Sequence, residues 1–79
     1  MIELGYADLQ EDGSWQYEVV YKEHYICFDH VFYNKKGDIM EYQITGIFDE
    51  FGIPVQLNLS DIEIKIMLAG IELFHLKNK

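Results

Sequence analysis

The 79-residue chain contains no arginine, and its six lysines stand against fourteen acidic residues, which gives a formal net charge of −8. Nucleic acids and anionic membrane surfaces are bound mainly by clustered lysine and arginine side chains. We therefore expect neither a nucleic acid nor a membrane as a direct ligand. Such a negative charge favours a basic protein partner, or it serves only to keep the protein soluble.

Cysteine and long apolar runs are also scarce. Cys27 is the only cysteine, so an internal disulfide is excluded and nothing points to an oxidising compartment. The N-terminus has no basic region followed by an apolar run, and the longest apolar stretch, residues 66–71, is too short to span a bilayer. We expect a soluble, cytoplasmic protein with one small domain over residues 1–79.

What the chain does contain is strand-like alternation of apolar and polar residues, over residues 2–6, 15–21, 40–48 and 53–59. In residues 2–6, Ile2, Leu4 and Tyr6 share one side. Turn sequences with glycine follow at 10–13, 34–37 and 49–52. Lys22-Glu23-His24 has no glycine or proline, so a bulge, an irregular turn and a tight turn all remain open there.

Residues 25–33 are apolar on both faces, which is typical of a central strand or of one covered by another element or subunit. This segment also indicates self-association. We expect a homodimer.

The last twenty residues change to helical spacing. Ser60-Asp61-Ile62-Glu63 has the form of a capping box, and Gly70 suits the left-handed position that ends a helix. The β-branched residues at 62, 64 and 66 would also suit a strand, but the cap and end signals favour the helix. Residues 66–76 resemble the helix–turn–strand that closes many α/β enzymes, class I methyltransferases among them, although the glycine-rich cofactor loop of that family is absent.

These patterns predict an α+β fold. We expect an antiparallel meander of five to six strands that carries one short C-terminal helix, followed by a final strand over residues 71–76.

Two segments contain residue types that bind metals. His24, Cys27 and His30 have suitable side chains, but in a strand Cys27 points away from both histidines, which lie about 20 Å apart at about 3.3 Å per residue. Residues 8–13 begin like a calcium loop, yet the twelfth position is Val19 instead of an acidic ligand. We expect no metal and no cofactor.

Sequence motifs for catalysis are also lacking. Ser14 and Ser60, the only serines, suit a turn and a helix cap, and no glycine-rich phosphate loop is present. We therefore expect a chain that is not an enzyme. The sequence predicts a non-catalytic acidic protein-binding module, such as a small inhibitor that engages the basic, nucleic-acid-binding surface of a partner protein.

The residues predicted to contact that partner fall into three groups. Residues 1–21 hold five acids and no lysine, and residues 37–64 hold six acids and none. In a meander, one sheet end gathers three acids, a row on one face holds two more, and two tyrosines offer interface area. In that order they are Glu23, Asp49 and Glu50, then Glu18 and Glu41, then Tyr25 and Tyr33. The alternatives are a small-molecule or catalytic pocket that uses His24 and His30, or a dimeric accessory protein.

Overall fold

The computed structural model describes residues 2–77 as a four-stranded antiparallel sheet with one C-terminal helix packed on one of its faces. The elements are β1 (Glu3–Leu9), β2 (Trp15–Tyr21), β3 (His24–Tyr33), β4 (Ile39–Phe48) and α1 (Asp61–Lys77). The spatial order β1-β2-β3-β4 is a simple meander. The expected α+β class and antiparallel sheet are confirmed, whereas the expected five to six strands and the final strand are wrong.

The turns are short. The three glycine-containing turns each close with a backbone hydrogen bond of 3.0–3.1 Å from the glycine to the residue three positions earlier, at Gln10, Asn34 and Asp49. The β2–β3 turn is the tight alternative, because Lys22 and Glu23 have φ values of 49° and 65°. Two consecutive left-handed residues make the kind of two-residue turn that matches the twist of a hairpin.

A bulge in β3 explains why its sequence is apolar on both sides. Tyr17 pairs with Phe28, but Trp15 pairs with Val31, so β3 carries an extra residue between the two pairs. His30 lies there with a φ of 53°, as expected at a bulge. The extra residue inverts the alternation, so Val31 follows Phe28 onto the face beneath the helix and Phe32 lies on the opposite face.

A second bulge lies in β1 at Gly5. Leu4 pairs with Val19, and Tyr6 pairs with Glu18. Leu4 therefore packs under the helix, while Tyr6 lies on the other face of the sheet. The expectation that Tyr6 shares a side with Leu4 is wrong, because the alternation of apolar and polar residues does not reveal where a strand contains an inserted residue.

Residues 53–59 form no strand. Their contacts with the sheet include an isolated bridge between Phe48 and Pro54 and a 3.0 Å hydrogen bond from the Val55 amide to the Ile47 carbonyl. Proline cannot donate a ladder hydrogen bond, which limits pairing at this edge. The segment instead carries the chain across to the helix.

The core lies between the sheet and α1. It consists of buried side chains from the two central strands and from the inner side of the helix: Tyr17, Val19, Ile26, Phe28, Val31, Met67 and Ile71. Partly buried residues of β1 and β4, such as Leu4 and Ile44, pack around it. One face of the sheet is thus buried and the other is open.

The helix continues through Gly70 to Lys77, so Gly70 does not end it. A Cβ atom at this position would overlap the side chain of Ile2. Gly70 therefore lets the helix approach the N-terminal segment closely. The final strand predicted for residues 71–76 is wrong because these residues continue the helix, with Ile71 buried in the core.

This close approach makes a testable prediction about Gly70. In the presence of Ile2, Gly70→Ala must displace the Ile2 side chain, so we expect a gain smaller than the roughly 1 kcal/mol that alanine adds over glycine in a helix, or a loss. In an Ile2→Ala background the same change should stabilise the protein by about that full amount. Urea unfolding of the four proteins measures the coupling, and an equal effect of Gly70→Ala in both backgrounds would contradict the explanation.

The predicted capping box is present at the start of α1. The Glu63 amide donates to Ser60 Oγ at 3.2 Å, and the Ser60 amide donates to Glu63 Oε1 at 3.1 Å. Glu63 Oε2 also accepts hydrogen bonds from Tyr21 Oη at 2.9 Å and Lys22 Nζ at 3.1 Å. The Ser60 amide first, then Tyr21 and Lys22, lower the pKa of Glu63 from 4.5 to about 2.

Glu63 should therefore stabilise the fold in a pH-dependent way. A lowered pKa means that its contribution is complete above pH 4.5 and is lost as the pH falls from 4.5 towards about 2. Glu63→Gln should lower the urea midpoint at neutral pH, and its difference from the wild type should shrink across that pH range. Asp61→Asn, which removes an acid from the same turn and not from the capping box, is the control. A difference that does not vary with pH would contradict the assignment.

Candidate functional site

The open face of the sheet, opposite α1, carries all five acidic residues of the strands. Strand pairing places them there, because each acid pairs with a residue that lies outside the core. The pairs are Glu3 with Val20, Asp8 with Gln16, Glu18 with Cys27, Asp29 with Gln43, and Glu41 with Phe32. None of the four strands contains a lysine. The open face is therefore negatively charged across its whole width.

Four of these acids form a diagonal across the sheet, one on each strand. Glu18 lies two positions before the residue that pairs with Glu3, and Asp29 lies two positions after the residue that pairs with Glu18. Glu41 lies two positions before the residue that pairs with Asp29. Diagonal neighbours of this kind are about 7–8 Å apart. We call Glu3, Glu18, Asp29 and Glu41 the carboxylate diagonal.

Local contacts hold the middle of the carboxylate diagonal in place. The Glu18 side chain lies over Gly5, where any Cβ atom would collide with its carboxylate. Asp29 Oδ2 accepts a 3.1 Å hydrogen bond from Thr45 Oγ1 on the neighbouring strand. The bulge glycine of β1 thus leaves room for the Glu18 carboxylate, and the threonine of β4 holds that of Asp29.

The negative field of this face acts on the groups beside it. Partial burial, followed by the charges of Cys27, Glu18, Asp29 and Asp8, raises the pKa of the Tyr6 hydroxyl. Tyr6 remains 42% exposed on the edge strand β1, where it pairs with Glu18. It offers a partner an uncharged aromatic ring with a hydroxyl donor.

The Cys27 thiol lies in the same field. Burial raises its pKa, and Glu18 and Asp29 raise it further. Because the thiolate is the reactive form, a thiol held in its protonated state is a poor nucleophile and a poor metal ligand.

The three side chains of the His24, Cys27 and His30 array are separated. Cys27 lies on the open face; His24 lies beside the β2–β3 turn with Nδ1 2.8 Å from the Lys22 carbonyl oxygen, and His30 lies in the bulge. Across residues 2–77 no three histidine, cysteine or acidic side chains are arranged to hold a metal ion. In the calcium-like segment, Asp12 Oδ1 accepts a 2.9 Å hydrogen bond from the Ser14 amide within its own turn.

One surface cleft includes His30 and not His24. A surface cleft of about 560 Å³ at the β1–β2 turn is lined by Asp12, Gln16, Asp29 and His30, among others, and not by His24. His30 and Asp29 therefore share a polar cleft at the edge of the open face.

Three of the predicted contact residues lie on the open face: Glu18, Glu41 and Tyr25. Glu18 and Tyr25 line one cleft of about 330 Å³ together with Phe48. Glu41 lies at the far end of the carboxylate diagonal and is exposed. The structure thus brings Glu18 and Tyr25 together and keeps Glu41 apart.

Tyr33 lies on the opposite side of the sheet. Its hydroxyl hydrogen-bonds the Tyr17 hydroxyl, and its ring stacks on His75 with centroids 3.8 Å apart. Burial, followed by the hydrogen bond with Tyr17, raises the pKa of Tyr33. Its ring and hydroxyl are engaged inside the domain and do not form part of the open face.

Glu23, Asp49 and Glu50 lie at one end of the sheet, where Tyr25 pairs with Phe48. Asp49 Oδ1 accepts hydrogen bonds from the Phe51 and Ile53 amides, so this carboxylate stabilises its own turn. Glu23 and Glu50 are exposed.

Sequence reasoning missed Glu3, Asp8, Asp29 and Tyr6 as members of this surface. For Tyr6 and Asp8, Gly5 was the available signal, because an isolated glycine within a strand pattern often marks a bulge.

Comparisons of the chain with models of protein families, with curated proteins and with solved structures find no match. Within residues 2–77 there is no helix with the length and apolar character needed to cross a bilayer.

Proposed function

We propose that this protein is a non-catalytic, acidic protein-binding module whose open sheet face engages a basic surface of a partner protein. The observation that supports the proposal is the carboxylate diagonal on a lysine-free sheet. The opposite face is occupied by α1, so the open face is the one that the fold leaves accessible.

Among residues 2–77, the acids of this face form no ion pair with a lysine or histidine. Within the described part of the chain, the single ion pair joins Lys22 to Glu63, which lies at the start of the helix and not on the open face. Like charges at neighbouring sheet positions repel one another. A partner that supplies lysine or arginine side chains would relieve this repulsion and would also be attracted at a distance.

Aromatic side chains lie among the acids. Tyr6, Tyr25 and Phe32 are all at least partly accessible on the open face. Protein interfaces are enriched in tyrosine and phenylalanine, which bury much area for little loss of conformational freedom. A surface of carboxylates and aromatic rings therefore suits a basic protein better than a small anion or a lipid.

The regular spacing of the carboxylate diagonal supports the inhibitor form of the proposal. A nucleic-acid-binding surface carries lysine and arginine placed to neutralise successive phosphates. Four carboxylates at diagonal steps of about 7–8 Å would offer such a surface a row of negative charges. The partner proposed is thus a protein with a nucleic-acid-binding surface, and its nucleic acid should compete with this chain.

The test uses the whole chain, immobilised in a lysate at low salt, followed by calorimetry with each purified captured protein. We expect basic proteins whose affinity falls as salt rises from about 50 to 200 mM, since salt screens charges near a surface. A DNA or RNA oligonucleotide should displace the chain from the partner. Partners that are acidic or neutral, or an affinity that salt leaves unchanged, would contradict electrostatic recognition. A basic partner that still binds the oligonucleotide in the complex would contradict the inhibitor form alone.

A further inference from the structure

The outer side of α1 carries an exposed apolar stripe. Its members follow one another at spacings of four, three, four and three residues: Ile62, Ile66, Ala69, Leu73 and Leu76. The four large side chains are 71%, 47%, 55% and 52% exposed in that order, and Ala69 is also exposed. We call these five residues the outer stripe.

The inner side of the same helix is apolar as well, because Met67 and Ile71 lie in the core and Ile64, Leu68 and Phe74 pack against it. The helix is thus apolar on two opposite sides, with charged residues such as Lys65 and Glu72 between them, and an apolar side of a helix is typically covered. The alternating spacing of the outer stripe is the one that lets two helices pack along a common seam. The helix therefore has the sequence of an element covered on both sides.

The outer stripe continues into a groove beside β1. This groove has a volume of about 570 Å³ and is lined by apolar side chains that include Ile2, Leu4, Ile66 and Leu73. Its apolar lining extends the area that a covering element would bury. An apolar ridge of helical spacing would fit the outer stripe and this groove together.

We propose that the occupant is the α1 helix of a second copy of this chain, packed antiparallel about a two-fold axis near Ala69. The outer stripe is nearly symmetric about that residue, with Ile62 and Leu76 each seven positions away. In this arrangement Ile62 lies against Leu76 of the second copy. A two-fold interface needs such a self-complementary surface, and the small Ala69 at its centre permits close approach of the helices.

Charge complementarity selects the antiparallel direction. Lys65 and Glu72 each precede a member of the outer stripe and are seven residues apart, so they lie along the same flank of the helix. About a two-fold axis near Ala69, Lys65 of one copy lies beside Glu72 of the other, and the pair occurs twice. Glu72 Oε2 accepts a 2.8 Å hydrogen bond from the Ile39 amide, which fixes its position. Within residues 2–77, Lys65 forms no ion pair.

The helix ends agree with this direction. The first turn is acidic and the last turn is basic. Asp61 and Lys77 are the exposed charges of these turns, whereas Glu63 and His75 make contacts within the domain. Antiparallel packing sets each acidic turn against a basic turn and opposes the two helix dipoles favourably. Parallel packing would set the two acidic first turns side by side.

The dimer is tested by its mass in solution. The wild type should show a concentration-dependent shift from 9.4 kDa towards twice that mass in sedimentation equilibrium. Leu73→Glu and Ile66→Glu should give folded monomers, with unchanged far-ultraviolet circular dichroism. Met40→Glu and Ile53→Glu, at equally exposed apolar residues outside the outer stripe, are the matched controls and should remain dimeric. A wild type that stays monomeric at every concentration, or a dimer that survives Leu73→Glu, would overturn the proposal.

A charge exchange keeps the test decisive if the stripe variants unfold. Lys65→Glu alone and Glu72→Lys alone each place like charges together in a homodimer, so each should weaken it several-fold. A mixture of the two variants restores opposite charges at both contacts and should form the heterodimer preferentially. Equal amounts of homodimer and heterodimer in the mixture would contradict the pairing.

Cross-linking tests the helix direction. In a Cys27→Ser background, Ile62→Cys and Leu76→Cys proteins should form a mixed disulfide rapidly when combined, and neither should cross-link with itself. Two copies of residue 62 lie about 20 Å apart in the antiparallel dimer, at 1.5 Å per residue. Self-cross-linking of both variants without a mixed product would overturn the antiparallel arrangement. Loss of the dimer on Tyr25→Asp, with Leu73→Glu still dimeric, would assign the interface to β3 instead.

Discussion

Phe28→Ala should remove a large share of the folding stability of the domain. Phe28 is fully buried between the sheet and α1, and its ring contacts Tyr42 with centroids 5.9 Å apart. Removing a buried phenylalanine ring costs about 3–5 kcal/mol. A domain of this size is stable by only about 4–12 kcal/mol, at roughly 0.05–0.15 kcal/mol per residue. Urea unfolding followed by tryptophan fluorescence would measure the loss.

Phe32→Ala is the matched control, because it makes the same substitution in the same strand on the other face of the sheet. Phe32 is only half-buried and lies outside the core. We expect it to cost about 1 kcal/mol or less, since a substitution outside the core rarely has a large effect. Simple alternation would place Phe28 and Phe32 on one face. Equal effects of the two substitutions would therefore contradict the bulge at His30.

Some features of the fold can be predicted from the sequence and others cannot. Glycine-containing turns and the capping box at Ser60 are local, and the sequence predicts them correctly. The bulges at Gly5 and His30 each invert the alternation of their own strand. Because of the bulge at Gly5, Tyr6 lies on the face opposite to the predicted one. The prediction that Gly70 ends the helix is wrong because the role of Gly70 is tertiary. It contacts Ile2, more than sixty residues away in the sequence. Inserted residues and tertiary contacts are the features that periodicity does not reveal.

The same reason limits prediction of the candidate site. Charge composition indicates an acidic surface, and Glu18 and Glu41 do lie on the open face. Their neighbours Glu3 and Asp29 join them only through the register of four strands, which depends on the bulges. The sequence alone therefore indicates the sign of the surface charge, while the register of the strands decides which carboxylates become neighbours.

The two proposed surfaces are compatible. The outer stripe lies on α1, and the carboxylate diagonal lies on the sheet face that α1 does not cover. A dimer formed through the helices would leave both open faces accessible and directed away from each other. Two such faces would bind an oligomeric or repetitive basic partner with an avidity beyond that of one face. The monomeric Leu73→Glu protein should retain the affinity of a single face.

Neutralising the carboxylate diagonal should weaken partner binding by about five- to a thousandfold. The variant carries Glu3→Gln, Glu18→Gln, Asp29→Asn and Glu41→Gln, and it removes one negative charge from each strand. Charge pairs near a surface contribute about 0.2–1 kcal/mol each, so four give roughly 1–4 kcal/mol. Folding stability should stay equal or rise, because the changes relieve repulsion between neighbouring carboxylates. Calorimetry with the captured partner measures the affinity, and urea unfolding measures the stability.

The control removes the same number of charges from turns and the helix start, through Glu11→Gln, Glu23→Gln, Glu50→Gln and Asp61→Asn. All four residues are exposed and lie outside the strands. If the diagonal is the contact surface, this variant should bind within a few-fold of the wild type, because net charge acts mainly on the rate of encounter. A larger loss in the control than in the diagonal variant would move the contact to the sheet end that holds Glu23 and Glu50. Equal losses would mean that the partner responds to total charge, and no particular surface would then be required.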